Sequence, residues 1–121
     1  MLRSTVVGGL LLATLLVSLD VDAFTGNQWR EWPEAERKAY IAGTLDGWNL
    51  LETTLSLVAQ GRDVDPTVSS LLQNVRCARQ RRMTYEQMVG IVAKFVQDHP
   101  ERWPQDMSML MWDAMSQACR S

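Results

Sequence analysis

Apolar residues recur at the three- and four-residue spacing of amphipathic helices in four segments of the chain. The first segment ends at Gly61, and its predicted inner stripe is Ala35, Ala39, Ala42, Leu45, Trp48, Leu51 and Leu55. The second stripe is Val68, Leu71, Leu72 and Val75. The third is Met88, Ile91, Val92, Phe95 and Val96, and the fourth is Met107, Leu110, Met111, Ala114 and Ala118. The pattern predicts an all-α fold, a small bundle of about four helices.

Helix-start signals precede the first two segments. Pro33 stands where a first helical residue is expected, and the acidic residues after it suit the positive end of a helix dipole. Asp65 is predicted to cap the second helix and Pro66 to begin it. This helix is expected to be short and to carry Cys77 at or just past its end.

The third helix has the clearest boundaries. Thr84 and Gln87 form a T-x-x-Q capping box at its start. Pro100 disfavours helical geometry at the residue before it, so the helix is expected to end near Asp98. Pro104 is then available to begin the fourth helix.

Three polar or small residues on the first helix need an explanation. Gly43 and Gly47 lie one turn apart, where each costs about 0.5 to 1 kcal/mol relative to alanine. They predict that a second helix or the disulfide packs against bare backbone, with a ligand groove as the alternative. Asp46 lies among apolar neighbours, so it is expected to find hydrogen-bond donors inside the fold, a binding role being the alternative.

The first 23 residues have the pattern of a secretory signal. Arg3 precedes an apolar run from Val6 to Leu19, and Val21 and Ala23 fit the small positions of a signal-peptidase site. We expect cleavage after Ala23; the alternative is an uncleaved N-terminal anchor. Residues 24–121 then form one domain of 98 residues with no membrane span, in the periplasm or secreted.

Charge narrows the range of partners. Loss of the leader changes the formal net charge from −2 to −1, because one cation and two acids are removed. A near-neutral chain is not expected to bind nucleic acid. Arg76, Arg79, Arg81 and Arg82 form a local basic cluster, interpreted as a solvated connection or alternatively as a contact for an acidic partner.

The chain has two cysteines, Cys77 and Cys119, and an even count in a secreted protein predicts one disulfide. A loop of about 43 residues would remove roughly 4 kcal/mol of unfolded-state entropy, as an upper figure. A redox pair or a zinc site would need a Cys-x-x-Cys motif or further ligands, and the sequence has neither. No metal or cofactor is predicted.

His99, the only histidine, is interpreted as a helix-end residue. A catalytic histidine needs a nucleophile or bound water within reach, and the sequence contains no G-x-S-x-G elbow or glycine-rich phosphate loop. The protein is therefore not expected to be an enzyme.

Several motifs together resemble a known family. They are "TGNQW" from Thr25, "YIAGTLDGW" from Tyr40, "MTYEQMVGIVAKFVQDHPERW" from Met83, and the two cysteines. This arrangement is similar to the Rap/Tai-type immunity proteins of type VI secretion amidase effectors. Its more specific residues are Tyr40, Gly43, Asp46, Gly47, Thr84, Gln87 and the run from Asp98 to Glu101. The resemblance implies a small helical periplasmic protein with a disulfide, often dimeric, that blocks a peptidoglycan-cleaving amidase.

The chain departs from that family in two places. Many members have a proline and a glycine between the first cysteine and the threonine, and a proline just before the last cysteine. Here those places hold "ARQRR" and Ala118, so the loop after Cys77 is expected to differ in shape.

Two functional hypotheses follow. In the first, a rigid helical domain presents a loop that enters the active-site cleft of an effector, with His99, Glu101, Arg102 and Trp103 as candidate partner-binding residues. Trp103 is either the anchor of this loop or a residue that covers the core. In the second, the protein is an envelope chaperone or stress protein, because its seven methionines offer adaptable apolar surface unless they fill the core.

Overall fold

The structure, a computed structural model, describes residues 22–63 and 65–120. Its helices are α1 (Gly26–Glu31), α2 (Glu34–Ala59), α3 (Pro66–Gln80), α4 (Tyr85–Asp98) and α5 (Met107–Arg120), with a 3₁₀ turn at Pro100–Arg102. The described residues contain no strand, only an isolated bridge between Thr25 and Asp106. The predicted all-α bundle with one disulfide is confirmed. The predicted signal peptide lies almost wholly outside the described residues.

Capping boxes define two helix starts. The Thr84 N–H donates to Gln87 Oε1 at 2.8 Å, and the Gln87 N–H donates to Thr84 Oγ1 at 3.1 Å. The prediction for α4 is confirmed at both ends. The same box, between Thr25 and Gln28, begins α1. Sequence analysis missed this short helix although its T-x-x-Q signature is present.

Three predicted boundaries were wrong. Pro33 is the N-cap of α2 in an extended conformation, so the helix begins one residue later. α3 continues to Gln80, which places Cys77 inside the helix. α5 begins at Met107 because the chain after Pro100 first forms a 3₁₀ turn, and residues 103–106 continue the connection.

The core lies where α2, α4 and α5 meet, and Trp29 of α1 is buried in it with 1% of its surface exposed. The predicted inner stripes of α4 and α5 are buried except for Ile91 and Ala118, which are partly exposed. The methionines with at most 2% exposure are Met88, Met107, Met111 and Met115. Core filling therefore accounts for these four side chains.

The inner face of α2 differs from the predicted stripe. Ile41 and Leu45 are buried, and Trp48 makes an edge contact with Trp112 of α5 at 5.1 Å between ring centroids. By contrast, Ala39 and Leu51 are exposed. α2 therefore carries two apolar stripes, of which only one faces the core.

α3 and α5 are joined by the Cys77–Cys119 disulfide, whose Cα atoms are 6.1 Å apart. Beside it, the Asn74 side-chain amide donates to the Trp112 carbonyl and to Ser116 Oγ. The predicted cystine is confirmed, and polar contacts support the same pair of helices.

Candidate functional site

The four candidate partner-binding residues lie together between α4 and α5. We call this segment, from His99 to Trp103, the corner. A hydrogen bond of 2.9 Å from the Arg102 N–H to the His99 carbonyl holds its backbone in a turn. The side chains of the corner make further contacts that fix its geometry.

His99 terminates α4, as predicted. Its Nδ1 lies 2.7 Å from the Phe95 carbonyl, and its ring stacks on the Phe95 ring with centroids 4.2 Å apart. A ring nitrogen facing a carbonyl must donate, so the proton is on Nδ1 in the neutral ring. His99 thus closes the last turn of the helix.

Trp103 connects the corner to two other elements. Its Nε1–H donates to the Val96 carbonyl at 2.6 Å, and the Arg30 guanidinium carbon lies 3.3 Å from the ring centroid. Its own carbonyl accepts from the Asn27 N–H of α1 at 2.9 Å. The ring packs against the core while remaining partly exposed.

Arg102 and Glu101 have different surroundings. The Arg102 guanidinium bonds to Asp113 of α5 and to the Gln105 side chain, and it lies 5.3 Å from the Phe95 ring. Glu101 is exposed at the apex of the 3₁₀ turn. The corner is therefore a pre-organised structure that directs one carboxylate outward.

The resemblance motif on α2 does not have the surroundings predicted for it. A Cβ added to Gly43 or Gly47 would meet no atom within 4 Å, and Asp46 is exposed. The predicted close packing against these glycines and the predicted burial of Asp46 are both wrong, because Gly43, Asp46 and Gly47 lie on the exposed side of α2. The close approach is instead at Gly26, where a Cβ would lie 2.7 Å from Leu110 Cδ1.

Tyr40 belongs to an aromatic cluster at the start of α2. Its ring lies 5.6 Å from that of Trp32 and 6.2 Å from those of Phe24 and Trp29, measured between centroids. Burial raises the pKa of its hydroxyl, a hydrogen bond with Thr44 acts in the opposite direction, and the charge of Asp106 adds to the rise. A surface pocket of about 390 Å³ beside the cluster is lined by Phe24, Trp32, Glu36, Ala39 and Tyr40.

The basic cluster is engaged within the fold. Arg76 Nε lies 3.1 Å and Arg79 Nη2 2.7 Å from the two carboxylate oxygens of Glu52 on α2. Arg81 donates to the carbonyls of Ala118 and Cys119. Burial raises the pKa of the Glu52 carboxyl, but the two arginines outweigh that effect and hold it below its ordinary value. Because Arg76, Arg79 and Arg81 have partners within the fold, they do not support the alternative that the basic cluster contacts an acidic partner protein.

Among the described residues, no group of three or more histidine, cysteine or acidic side chains is placed to hold a metal ion. No helix in this part of the chain is long and apolar enough to cross a membrane. Comparisons with models of known protein families, with curated proteins and with solved structures found no match to this chain.

Proposed function

We propose that this protein is an extracytoplasmic immunity protein that binds and neutralises a peptidoglycan amidase effector of type VI secretion, using the corner as its contact surface. The resemblance carried by Tyr40, Thr84, Gln87 and the two cysteines suggests the partner class. The disulfide is compatible with an oxidising compartment such as the periplasm.

The pre-organised corner is the observation that carries the proposal. Its arginine and tryptophan are already held by Asp113 and Val96, so binding would order few additional side chains. Immobilising a long side chain at an interface costs about 0.5 to 1.5 kcal/mol, and a corner fixed in advance avoids most of that cost.

Glu101 supplies the polar recognition in this proposal. Its carboxylate projects from the apex, where it can accept hydrogen bonds from donors in the cleft of a partner enzyme. The Trp103 ring packs between the corner and the core and is only partly exposed, and its Nε1–H donates to the Val96 carbonyl. Its main role in this proposal is therefore to hold the corner in place.

A panel of type VI peptidoglycan amidases, each directed to the periplasm of a bacterial host, tests the proposal. Co-export of this protein is expected to restore growth against at least one of them, and the purified pair should bind in calorimetry. If the protein neither binds nor protects against a single amidase of the panel, the proposal is contradicted.

Charge reversal at the apex tests the surface. Glu101→Lys is expected to weaken binding of that amidase by at least about tenfold, an effect of the size of one interfacial charge contact. Glu36→Lys is the matched control, because it reverses the same charge at an exposed position of α2 outside the corner. Equal affinities of the two variants would show that the contact surface lies elsewhere.

The chaperone alternative has lost its original support, because four of the seven methionines fill the core. One other observation favours it. α2 exposes Leu50, Leu51, Leu57 and Val58, an apolar surface of the kind that binds unfolded chains. A chaperone of this type would suppress aggregation of an unrelated denatured protein at stoichiometric amounts, whereas an immunity protein would not.

A further inference from the structure

Three aromatic rings border one surface pocket beside the start of α2. The pocket has a volume of about 390 Å³ and is lined by Phe24, Trp32, Glu36, Ala39 and Tyr40. We call it the aromatic pocket. Its walls are therefore three rings, one methyl group and one carboxylate, and no residue of the corner lines it.

The three rings enclose the pocket from different directions. Their planes are inclined to one another by 51° to 81°, and their centroids are 4.9 to 6.2 Å apart. A single group in the pocket can therefore lie close to all three rings. A cation is attracted to the face of an aromatic ring when it lies within about 6 Å of the centroid. The spacing of these rings allows one cation to meet that distance for all of them.

The fold holds the rings in place. The Phe24 carbonyl accepts a hydrogen bond from the Met107 N–H of α5, and Trp32 is the capping residue at the end of α1. The Tyr40 ring also contacts the buried ring of Trp29, with centroids 6.2 Å apart. A ligand would therefore meet a pocket that is already formed and would immobilise few side chains.

The charges around the pocket favour a cation. Among the described residues, no cation is paired with the exposed Glu36 carboxylate. The neighbouring cations of α2 are engaged elsewhere, because Arg37 donates to two carbonyls of α1 and Lys38 lies 2.7 Å from Glu86. Glu34 and Glu36 also offset the positive end of the helix dipole in the first turn of α2.

We propose that the aromatic pocket binds a quaternary ammonium group on a small molecule of the choline class that carries no anionic group. The three rings would attract the ammonium through their faces, and the Glu36 carboxylate would attract it from the edge of the pocket. This inference does not rest on the proposed immunity function.

The shortage of hydrogen-bond acceptors favours a quaternary ammonium over a primary one. A primary ammonium has three N–H donors and is strongly hydrated, whereas a quaternary ammonium has no N–H at all. The lining side chains offer one carboxylate, from Glu36, and the Tyr40 hydroxyl, which is already hydrogen-bonded with Thr44. A primary ammonium would therefore lose water that the pocket does not replace.

The position of Glu36 also limits the rest of the ligand. A phosphate or carboxylate near the ammonium group would be repelled by the Glu36 carboxylate, since like charges a few ångströms apart oppose each other. Phosphocholine, whether free or as a lipid headgroup, carries such a group. Free choline does not, and its hydroxyl can remain in water.

Nuclear magnetic resonance of the isotope-labelled, exported protein measures binding. Choline chloride is added up to about 100 mM, with sodium chloride added to keep the ionic strength constant, because salt screens exposed charges. The indole N–H signal of Trp32 and the amide signals of Glu36 and Tyr40 are expected to shift and saturate. Contacts between cations and exposed rings are individually weak, so we expect a dissociation constant on the order of 1 to 10 mM.

Three analogues of choline test the chemistry of the ligand. Dimethylbutanol, in which a carbon atom replaces the choline nitrogen, has the same shape without the charge and is expected to bind at least about tenfold more weakly. Ethanolamine, a primary ammonium, and phosphocholine, which carries an anionic group, are also expected to bind more weakly than choline.

Two substitutions test the ring and the carboxylate separately. Phe24→Leu keeps an apolar side chain but removes a ring, and it is expected to weaken choline binding about two- to fivefold, the size of one cation contact with an exposed ring. Glu36→Gln removes the charge and keeps the shape, and it is expected to weaken binding by a similar factor, about two- to fivefold.

Two matched controls lie outside the pocket. Tyr85→Leu removes an exposed ring from α4, and Glu34→Gln removes an exposed acid from the same turn of α2. Both should leave choline binding unchanged, and circular dichroism of each variant verifies that the helices are retained. The absence of a saturating shift up to about 100 mM choline would overturn the proposal. So would wild-type affinity in Phe24→Leu or Glu36→Gln, or any of the three analogues binding as tightly as choline.

Discussion

At the residue scale, three glycines show that the space beside a glycine, and so the effect of adding a side chain there, depends on its neighbours in the fold. The added Cβ of Gly43 or Gly90 would meet open space, while that of Gly26 would meet Leu110 and the backbone of Trp103. The sequence predicted a close contact at Gly43 from the cost of glycine in a helix. That cost is real at each position, but the spacing alone does not reveal which side of the helix has a neighbour.

Gly26→Ala is expected to destabilise the fold by about 1 to 3 kcal/mol, the usual range for overpacking. The reason is that its Cβ would lie 3.1 Å from both the Cα and the carbonyl oxygen of Trp103, which as backbone atoms cannot easily move aside. Urea midpoints measure the effect. Gly90→Ala, the control, should instead stabilise by about 0.5 to 1 kcal/mol through helix propensity. A Gly26→Ala variant as stable as the wild type would show that α1 shifts freely away from α5.

At the element scale, helices with strong local signals were predicted well. Thr84, Gln87 and Pro100 fixed both ends of α4, because a capping box and a proline act through the adjacent backbone. α1 was missed because its six residues depend on burial of Trp29, which is a tertiary effect. On α2 the sequence offered two apolar stripes, and periodicity cannot tell which one the other helices will cover.

The candidate site was predicted in the same uneven way. The sequence placed His99 at a helix end because the proline after it acts locally. It could not place Arg102 beside Asp113, or Trp103 beneath Arg30, since these contacts join segments that only the fold brings together.

The contact between α2 and α3 should depend on pH. Glu52, whose side chain is 13% exposed, has a pKa below its ordinary value of 4.5 when the protein is folded. Such a group contributes stability that is present above the unfolded pKa and lost as the pH falls through the folded one. Glu52→Gln is expected to cost about 1 kcal/mol at pH 7, a modest value because both arginines are half-exposed.

Urea midpoints of wild type and Glu52→Gln between pH 7 and pH 3 measure this dependence. The gap between the two proteins should close as the pH falls below about 4.5. Glu101→Gln, the control, removes an exposed carboxylate of the corner, away from the contact between α2 and α3, and should leave the urea midpoint at pH 7 unchanged. A gap that stays constant to pH 3 would show that the Glu52 charge contributes nothing to the helix contact.

At the scale of the whole molecule, the disulfide closes the part of the chain that contains α4, the corner and α5. Cys77 and Cys119 are 42 positions apart, so the bond limits the unfolded chain over more than a third of the protein's length. The bond also holds the end of α5 beside α3, next to the contacts from Asn74 to Trp112 and Ser116. The fold that supports the corner is therefore maintained by both covalent and polar links.

Removal of the disulfide is the test at this scale. Cys77→Ala combined with Cys119→Ala is expected to cost about 2 to 4 kcal/mol, the loop-closure value being an upper figure because the contacts of Asn74 remain. For a domain of this size that loss lowers the melting temperature by about 10 to 20 °C, without preventing folding at 25 °C. Calorimetry of the exported double variant beside the wild type measures the difference.

Thiol titration of the denatured wild type should find no free thiol, since both cysteines are bonded. Two reactive thiols in exported material, or equal melting temperatures for the two proteins, would show that the bond does not support the fold.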